Sequence, residues 1–148
     1  MTTILGINAF HADASAALLI DGRIASAVEE ERFTRVKHCA GFPEQAILWC
    51  LKNSKISISD INHIAINTNP KANFFKKIIY TLRKSPNPGF LIDRFKNKLE
   101  RTGLKKNITN LFPEEEINAE FHFVEHHLAH LASAYYCSRF NNAFFTFC

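Results

Sequence analysis

Residues 4–28 read ILGINAFHADASAALLIDGRIASAV, and this stretch decides the fold class of the chain. Residues 4–10, 15–20 and 23–28 are short runs of apolar and small side chains, which are typical of β-strands. Small and polar residues 11–14 separate the first two runs, and Asp21 with Gly22 forms a hairpin turn sequence before the third. The stretch therefore predicts three antiparallel strands that follow one another in the sheet.

The rest of the chain alternates helices with strands. Pro43 suits the first turn of a helix over residues 44–52, and further helices are predicted over 71–84, 90–101 and 126–136. Strands are predicted over 61–67, 120–124 and 143–147. The order β-β-β-α-β-α-α-β-α-β predicts an α/β fold with a mixed sheet, the ribonuclease-H-like arrangement that actin-like ATPases also use. A fold of this kind does not by itself give a function.

Length and composition predict a single globular domain over residues 1–148. Apolar residues make up 47% of its 148 residues and charged residues 22%, which excludes an intrinsically disordered segment. The four cysteines form no C-x-x-C pair, so a zinc ribbon is not expected. The cysteines are expected to be reduced thiols of a cytoplasmic protein. Neither a signal peptide nor an apolar run of membrane-spanning length is apparent, so no membrane association is expected.

Positive charge is concentrated in the middle of the chain. Residues 71–106 contain eleven lysines and arginines against two acidic residues, within a predicted helical insertion at about 68–118. Such a segment either meets phosphates or an acidic partner, or is a solvated face of the insertion. Nucleic acid is not the expected partner, because no base-stacking motif is interleaved with the charges.

The turn at residues 11–14 is the first candidate site. Its small side chains allow a ligand to approach the backbone, His11 can act as a base near neutral pH, and Asp13 can orient a phosphate or a bound water. An ordinary turn, in which Asp13 bonds its own backbone, is the alternative.

The charged loop at residues 29–38 is the second candidate site. Arg35, Lys37 and His38 can together bind a phosphate or a carboxylate, although a solvated charged loop explains the composition as well.

A histidine pair is the third candidate site. His126 and His130 are four residues apart, so on a helix they share one face and suit two imidazole ligands of one metal ion. His122 and Glu125 lie close in sequence and are candidates to orient those ligands. A purely structural role for the pair is the alternative.

Several long strings carry a resemblance to a known family. Residues 13–24 read DASAALLIDGRI, residues 29–38 read EEERFTRVKH, residues 41–43 read GFP, and residues 126–136 read HHLAHLASAYY. They resemble, in the same order, the signatures of the carbamoyltransferase family, which includes the nodulation-factor and antibiotic O-carbamoyltransferases. The strings lie towards both ends of the chain, and the basic middle carries none.

The resemblance implies an N-terminal actin-like domain that passes a carbamoyl group to a hydroxyl of a sugar-like or antibiotic-like acceptor. The donor is carbamoyl-adenylate, which another domain of such enzymes makes from carbamoyl phosphate and ATP. By similarity, His126 and His130 hold an iron(II)-type metal that contacts the nucleotide.

The resemblance also implies roles for the turn and the loop. His11 and Asp13 fall where the acceptor hydroxyl is deprotonated, and Arg35, Lys37 and His38 fall where the carbamoyl-adenylate pocket is lined. In the family, the strand that matches 143–147 continues into an acidic residue and a glycine, which begin the second half of the nucleotide fold. The chain is therefore expected to be a biosynthetic enzyme fragment that lacks the C-terminal domains and is inactive alone.

Two other functions remain open from the sequence. One is a non-catalytic actin-like partner or regulatory module, whose basic segment would meet an acidic partner. The other is a relative of the tRNA threonylcarbamoyl synthases, which the strings at 29–38 and 126–136 fit less well.

Overall fold

A single mixed sheet organises the part of the chain that the computed structural model describes, residues 1–67, 103–140 and 142. Its sheet order is β3-β2-β1-β4-β5, with β2 antiparallel to both of its neighbours and β1, β4 and β5 parallel to one another. The strands are β1 Thr3–Asn8, β2 Ser15–Ile20, β3 Arg23–Glu29, β4 His63–Ile66 and β5 Glu120–Phe123. The antiparallel meander predicted for the first thirty residues is confirmed.

The hairpin between β2 and β3 has the geometry that its sequence predicts. Asp21 and Gly22 both have positive φ, at 48° and 77°, as a two-residue type I′ turn requires. An Asp-Gly pair accepts these angles at low cost, which explains why the chain reverses at this point.

Four α-helices accompany the sheet in the described residues. They are α1 Glu31–Thr34, α2 Glu44–Ser54, α3 Leu104–Leu111 and α4 His126–Tyr136, with a short 3-10 helix at Ile58–Asp60. The predicted helix at 44–52 extends two residues further, and the one at 126–136 has the predicted bounds. Helix α1 was missed, because a four-residue helix in a charged loop carries little apolar periodicity. Helix α3 falls within the predicted helical insertion at about 68–118, although its own bounds were not predicted. The helices predicted at 71–84 and 90–101 and the strand at 143–147 lie outside the described residues.

The hydrophobic core lies on one face of the sheet. Leu5 and Ile7 from β1 and Ile64 and Ile66 from β4 are buried there. Helix α2 packs against β2 and β3, and α3 contributes further side chains to the same cluster. The buried stripe of α2 consists of the residues that the spacing predicted: Ala46, Ile47, Cys50 and Leu51.

Small side chains line part of the other face of the sheet. Gly6, Ala17, Ala27 and Ala65 line an open cavity of about 600 Å³, and Ala129 of α4 lines it from the opposite side. This volume falls within the range of small-molecule sites. None of the helices in the described part of the chain is long and apolar enough to cross a bilayer.

Candidate functional site

The carboxyl ends of three parallel strands meet at one edge of the sheet. Strands β1, β4 and β5 lie side by side and point the same way, and ligands of open α/β sheets bind in the crevice at such an edge. The turn at 9–14 follows β1, Asn67 follows β4, and His126 follows β5 after a two-residue link. The topology thus brings together the turn and the histidine helix, which are more than a hundred residues apart in the chain.

Two asparagines hold the turn in place. The Nδ2 of Asn8 donates to the carbonyl oxygens of Ala12 and Asp13, at 3.3 and 2.8 Å. The Nδ2 of Asn67 donates to the Oδ1 of Asn8 at 2.6 Å. Phe10 and Asp13 have φ of 61° and 63°, the left-handed region, so these bonds support a backbone that most residues avoid. The Oδ1 of Asn67 is buried without a hydrogen-bond partner in the described chain.

The charged loop is bonded directly to the turn. The backbone N–H of Phe10 donates to the carbonyl of Gly41 at 2.8 Å, and that of Ala14 donates to Cys39 at 3.0 Å. The Nδ1 of His38 lies 2.8 Å from the Oδ1 of Asp13. The turn and the loop are therefore bonded directly to each other.

The partner of His38 also sets its charge. The side-chain hydrogen bond with Asp13, and then the negative charge of Asp13, raise the pKa of His38, and Glu31 adds a smaller attraction. The imidazole consequently keeps its proton to higher pH than a free histidine does.

Arg35 and Lys37 are exposed in the same loop. Arg35 ends α1 with a left-handed φ of 59°, and its backbone N–H donates to the carbonyl of Glu31 at 2.9 Å. Within the described residues, neither side chain forms a hydrogen bond or an ion pair with Asp13 or His38.

The histidine pair on α4 lies beside the turn. The Nε2 atoms of His126 and His130 are 3.1 Å apart. The ring of His11 stacks on that of His126, with centroids 5.0 Å apart and planes at 27°. This contact joins the catalytic histidine predicted in the turn to the metal ligands predicted on the helix.

The pair fits a divalent transition metal. Two neighbouring ligands at about 2.1 Å from an ion lie roughly 3.0–3.4 Å from each other, which the separation of 3.1 Å matches. Imidazole nitrogen suits iron among other metals. The Nδ1 of His126 is buried without a hydrogen-bond partner in the described residues. In that part of the chain no third His, Cys, Asp or Glu completes a metal-binding group with these two.

Neither residue expected to orient the pair does so. His122 contacts His63, with their nitrogens 3.0 Å apart. The Oε2 of Glu125 accepts from the backbone N–H of Leu128 at 3.0 Å and caps α4, while its Oε1 lies 2.9 Å from the Nδ1 of His127. The hydrogen bond with His127 is the largest cause of a lowered pKa for Glu125, and the bond from the backbone of Leu128 adds to it.

Sequence reasoning missed the asparagines. Asn8 and Asn67 are unremarkable single letters in the chain, and their pairing depends on β1 and β4 being neighbours. The only signal was that Asn67 ends the predicted strand at 61–67, since Asn8 lies within the predicted strand at 4–10 and ends only the observed β1.

Comparison with known proteins identifies the family of the chain. The family described as carbamoyltransferase N-terminus matches residues 3–148. An uncharacterized protein of Synechocystis is 38% identical over 150 residues, which is 97% of this chain and 24% of that protein. Nodulation protein NolNO of Sinorhizobium fredii is 32% identical over 136 residues, which is 92% of this chain and 19% of that protein. An uncharacterized 19.2 kDa protein of Rhizobium etli is 41% identical over 58 residues, 39% of this chain and 34% of that protein. The chain thus spans about a quarter or less of the first two relatives.

Proposed function

Because the chain belongs to the family of carbamoyltransferase N-terminal domains, we propose that it is the acceptor-side domain of an O-carbamoyltransferase. The domain passes a carbamoyl group from carbamoyl-adenylate to a hydroxyl of a sugar-like acceptor. The observation that carries this proposal is the convergence of His11, Asp13, His38 and His126 at one sheet edge, within a chain that matches the family from residue 3 to its end.

We also propose the actin-like, ribonuclease-H-like version of the α/β fold. The order β3-β2-β1-β4-β5, with only β2 antiparallel to the others, supports it. In this fold the ligand crevice lies at the carboxyl edge of the parallel strands, where the candidate residues are found.

The reaction needs a base and a binding site for an anion. The acceptor oxygen bonds to the carbamoyl carbon, the bond from that carbon to the phosphate oxygen breaks, and AMP leaves. His11 takes the hydroxyl proton as a neutral imidazole. Asp13 holds a protonated His38 beside the turn, and His38 together with Arg35 and Lys37 binds the phosphate of the adenylate in this proposal.

The histidines on α4 form the metal part of the proposal. His126 and His130 would hold an iron(II)-type ion, which supplies positive charge to a phosphate oxygen of the nucleotide. The stacking of His11 on His126 fixes the base next to this position. The small side chains along the cavity leave room for the nucleotide or the acceptor on the same face of the sheet. ATP and carbamoyl phosphate are used by a further domain in this proposal.

Activity tests the proposal. The protein that carries this domain is incubated with ATP, radiolabelled carbamoyl phosphate and a panel of aminoglycoside and oligosaccharide acceptors. We expect the label on the acceptor, and a loss of about 10²–10⁴-fold in kcat for His11→Ala, because a general base contributes that much. His127→Ala on the same helix is the matched control and retains activity. The proposal would be contradicted if the unaltered protein transferred label to none of the hydroxyl acceptors.

A further inference from the structure

A second histidine cluster lies away from the candidate site. His63 and Glu120 are the first residues of β4 and β5 and are direct partners in the parallel register, and His122 pairs with Ala65 two positions along. The three side chains therefore start from the same face of two adjacent strands. The cluster begins at the amino ends of these strands, whereas the site described above lies at their carboxyl ends.

The distances within the cluster define a binding point. The Nδ1 of His63 and the Nε2 of His122 are 3.0 Å apart, and the Oε2 of Glu120 lies 3.6 and 3.7 Å from them. A triangle with these sides has a circumradius of about 2.0 Å, so one point in its plane lies at metal–ligand distance from all three atoms. The carboxylate oxygen lies beyond hydrogen-bond distance of either nitrogen but within ion-pair distance of both.

The backbone beneath the cluster is fixed on both sides. Strand β4 is bonded to β1 and to β5, and the backbone N–H of Glu120 donates to the carbonyl of Asn62 at 2.9 Å. The Oδ1 of Asn62 in turn accepts from the backbone N–H of Thr3 at 2.8 Å. Ligands on such strands keep their spacing without an ion, which lowers the entropy lost on binding.

We propose that His63, Glu120 and His122 bind a divalent transition metal ion of the zinc class. Two imidazoles and one carboxylate are a donor set that zinc uses, and such a set leaves a fourth position for water or another ligand. The side chains of the three residues are 36%, 69% and 42% exposed, so solvent reaches that position. The site is separate from His126 and His130 and does not depend on the proposed transferase activity.

The experiment removes the other histidine pair first. The full 148-residue chain carrying His126→Ala and His130→Ala is titrated with Zn²⁺ by calorimetry. We expect one equivalent to bind. Adding His63→Ala or His122→Ala should weaken this affinity at least tenfold, and Glu120→Gln, which keeps the shape of the side chain but not its charge, several-fold. His127→Ala removes an exposed imidazole elsewhere and should leave the affinity unchanged.

X-ray absorption of the zinc-loaded double variant gives an independent reading. We expect two imidazole nitrogens and at least one oxygen in the coordination shell, at roughly 2.0–2.2 Å. Circular dichroism spectra that match those of the parent chain confirm that each variant folds. The proposal is overturned if the double variant binds no zinc, or if His63→Ala and His122→Ala both bind it as tightly as the double variant does.

Discussion

Asp13 and His38 are 25 residues apart in the chain but form the closest charged contact of the candidate site. Both side chains are exposed, so in water the pair contributes little to the stability of the fold. Its consequence is chemical, since the raised pKa of His38 keeps the imidazole protonated beside the turn. Asp13 balances this charge, so the pair fixes the position of a cation rather than adding net positive charge.

We expect Asp13→Asn to lower the pKa of His38 towards the ordinary histidine value. The asparagine keeps the shape of the side chain and tolerates the left-handed φ of 63°, so the turn is preserved while the charge is lost. Titration of the His38 ring protons by NMR measures the shift. Asp21→Asn, in the β2–β3 hairpin, is the matched control and should leave this pKa unchanged.

The direction of the shift also fixes the pH dependence of stability. The pKa of His38 is higher in the folded state than in the unfolded state, so its protonation stabilises the fold. This stabilisation is complete at pH values below the unfolded-state pKa of about 6.5. It is lost as the pH rises through the folded-state pKa. Asp13→Asn removes the Asp13–His38 pair, so it should lower the free energy of unfolding at acidic pH. In alkaline solution the loss of this pair should have little effect. An unchanged His38 titration in Asp13→Asn would show that the contact does not form in solution.

At the scale of elements, Glu30 joins two parts of the fold. Pro43 stands at the N-cap of α2 and has no side-chain acceptor to offer. The buried carboxylate of Glu30 accepts instead from the backbone N–H groups of Gln45 and Ala46, at 3.2 and 2.8 Å. These are donors that the first turn of a helix leaves unsatisfied, and a negative charge at that end is favourable. The loop that carries the candidate residues is thereby fixed to the core helix.

We expect Glu30→Ala to lower the free energy of unfolding by about 1–3 kcal/mol, because two helix-end donors lose their partner in a buried place. Urea unfolding followed by far-UV circular dichroism measures the change. Glu29→Gln, at the exposed neighbouring position, is the control and should alter stability by no more than about 0.5 kcal/mol. Equal stability of Glu30→Ala and the parent chain would contradict a capping role for this carboxylate.

The elements differ in how far the sequence predicts them. The meander, its Asp21–Gly22 turn and the apolar stripe of α2 follow from local periodicity and turn chemistry, and the structure confirms them. The cap from Glu30 could not be predicted in this way, because it joins residues that are 15 or more positions apart. Helix α3 carries a local signal that was not used, since Leu104, Ile108 and Leu111 recur at helical spacing.

The candidate site belongs to the scale of the whole molecule, because three strands must be adjacent for it to exist. The sequence indicated the chemical character of His11, Asp13, His126 and His130 and their order in the chain. It did not reveal the stacking of His11 on His126, since that contact depends on β1, β4 and β5 lying side by side. The pairing of His63 with His122 was missed for the same reason.

The two faces of the sheet are unequally packed. On one face, α2 buries four residues against the strands. On the other face, none of the eleven residues of α4, all of which are described, is fully buried, and Leu128 is 56% exposed. A helix held by few buried contacts opens more readily than the core does. The candidate pair His126–His130 therefore lies on a helix that is packed less firmly than α2.

We expect hydrogen exchange to distinguish the two helices. Amides of α2 and of the central strands β1 and β4 should exchange most slowly, and those of α4 at least tenfold faster, because opening α4 exposes little apolar surface.

Anaerobic addition of Fe²⁺ should slow exchange in α4 if His126 and His130 hold the ion, since binding to the closed form alone stabilises it. His130→Ala should abolish this protection and leave α2 unaffected, whereas His127→Ala, on the same helix, should retain it. Equal exchange in α2 and α4 without metal would contradict the unequal packing, and protection by Fe²⁺ that persists in His130→Ala would remove the metal role of the pair.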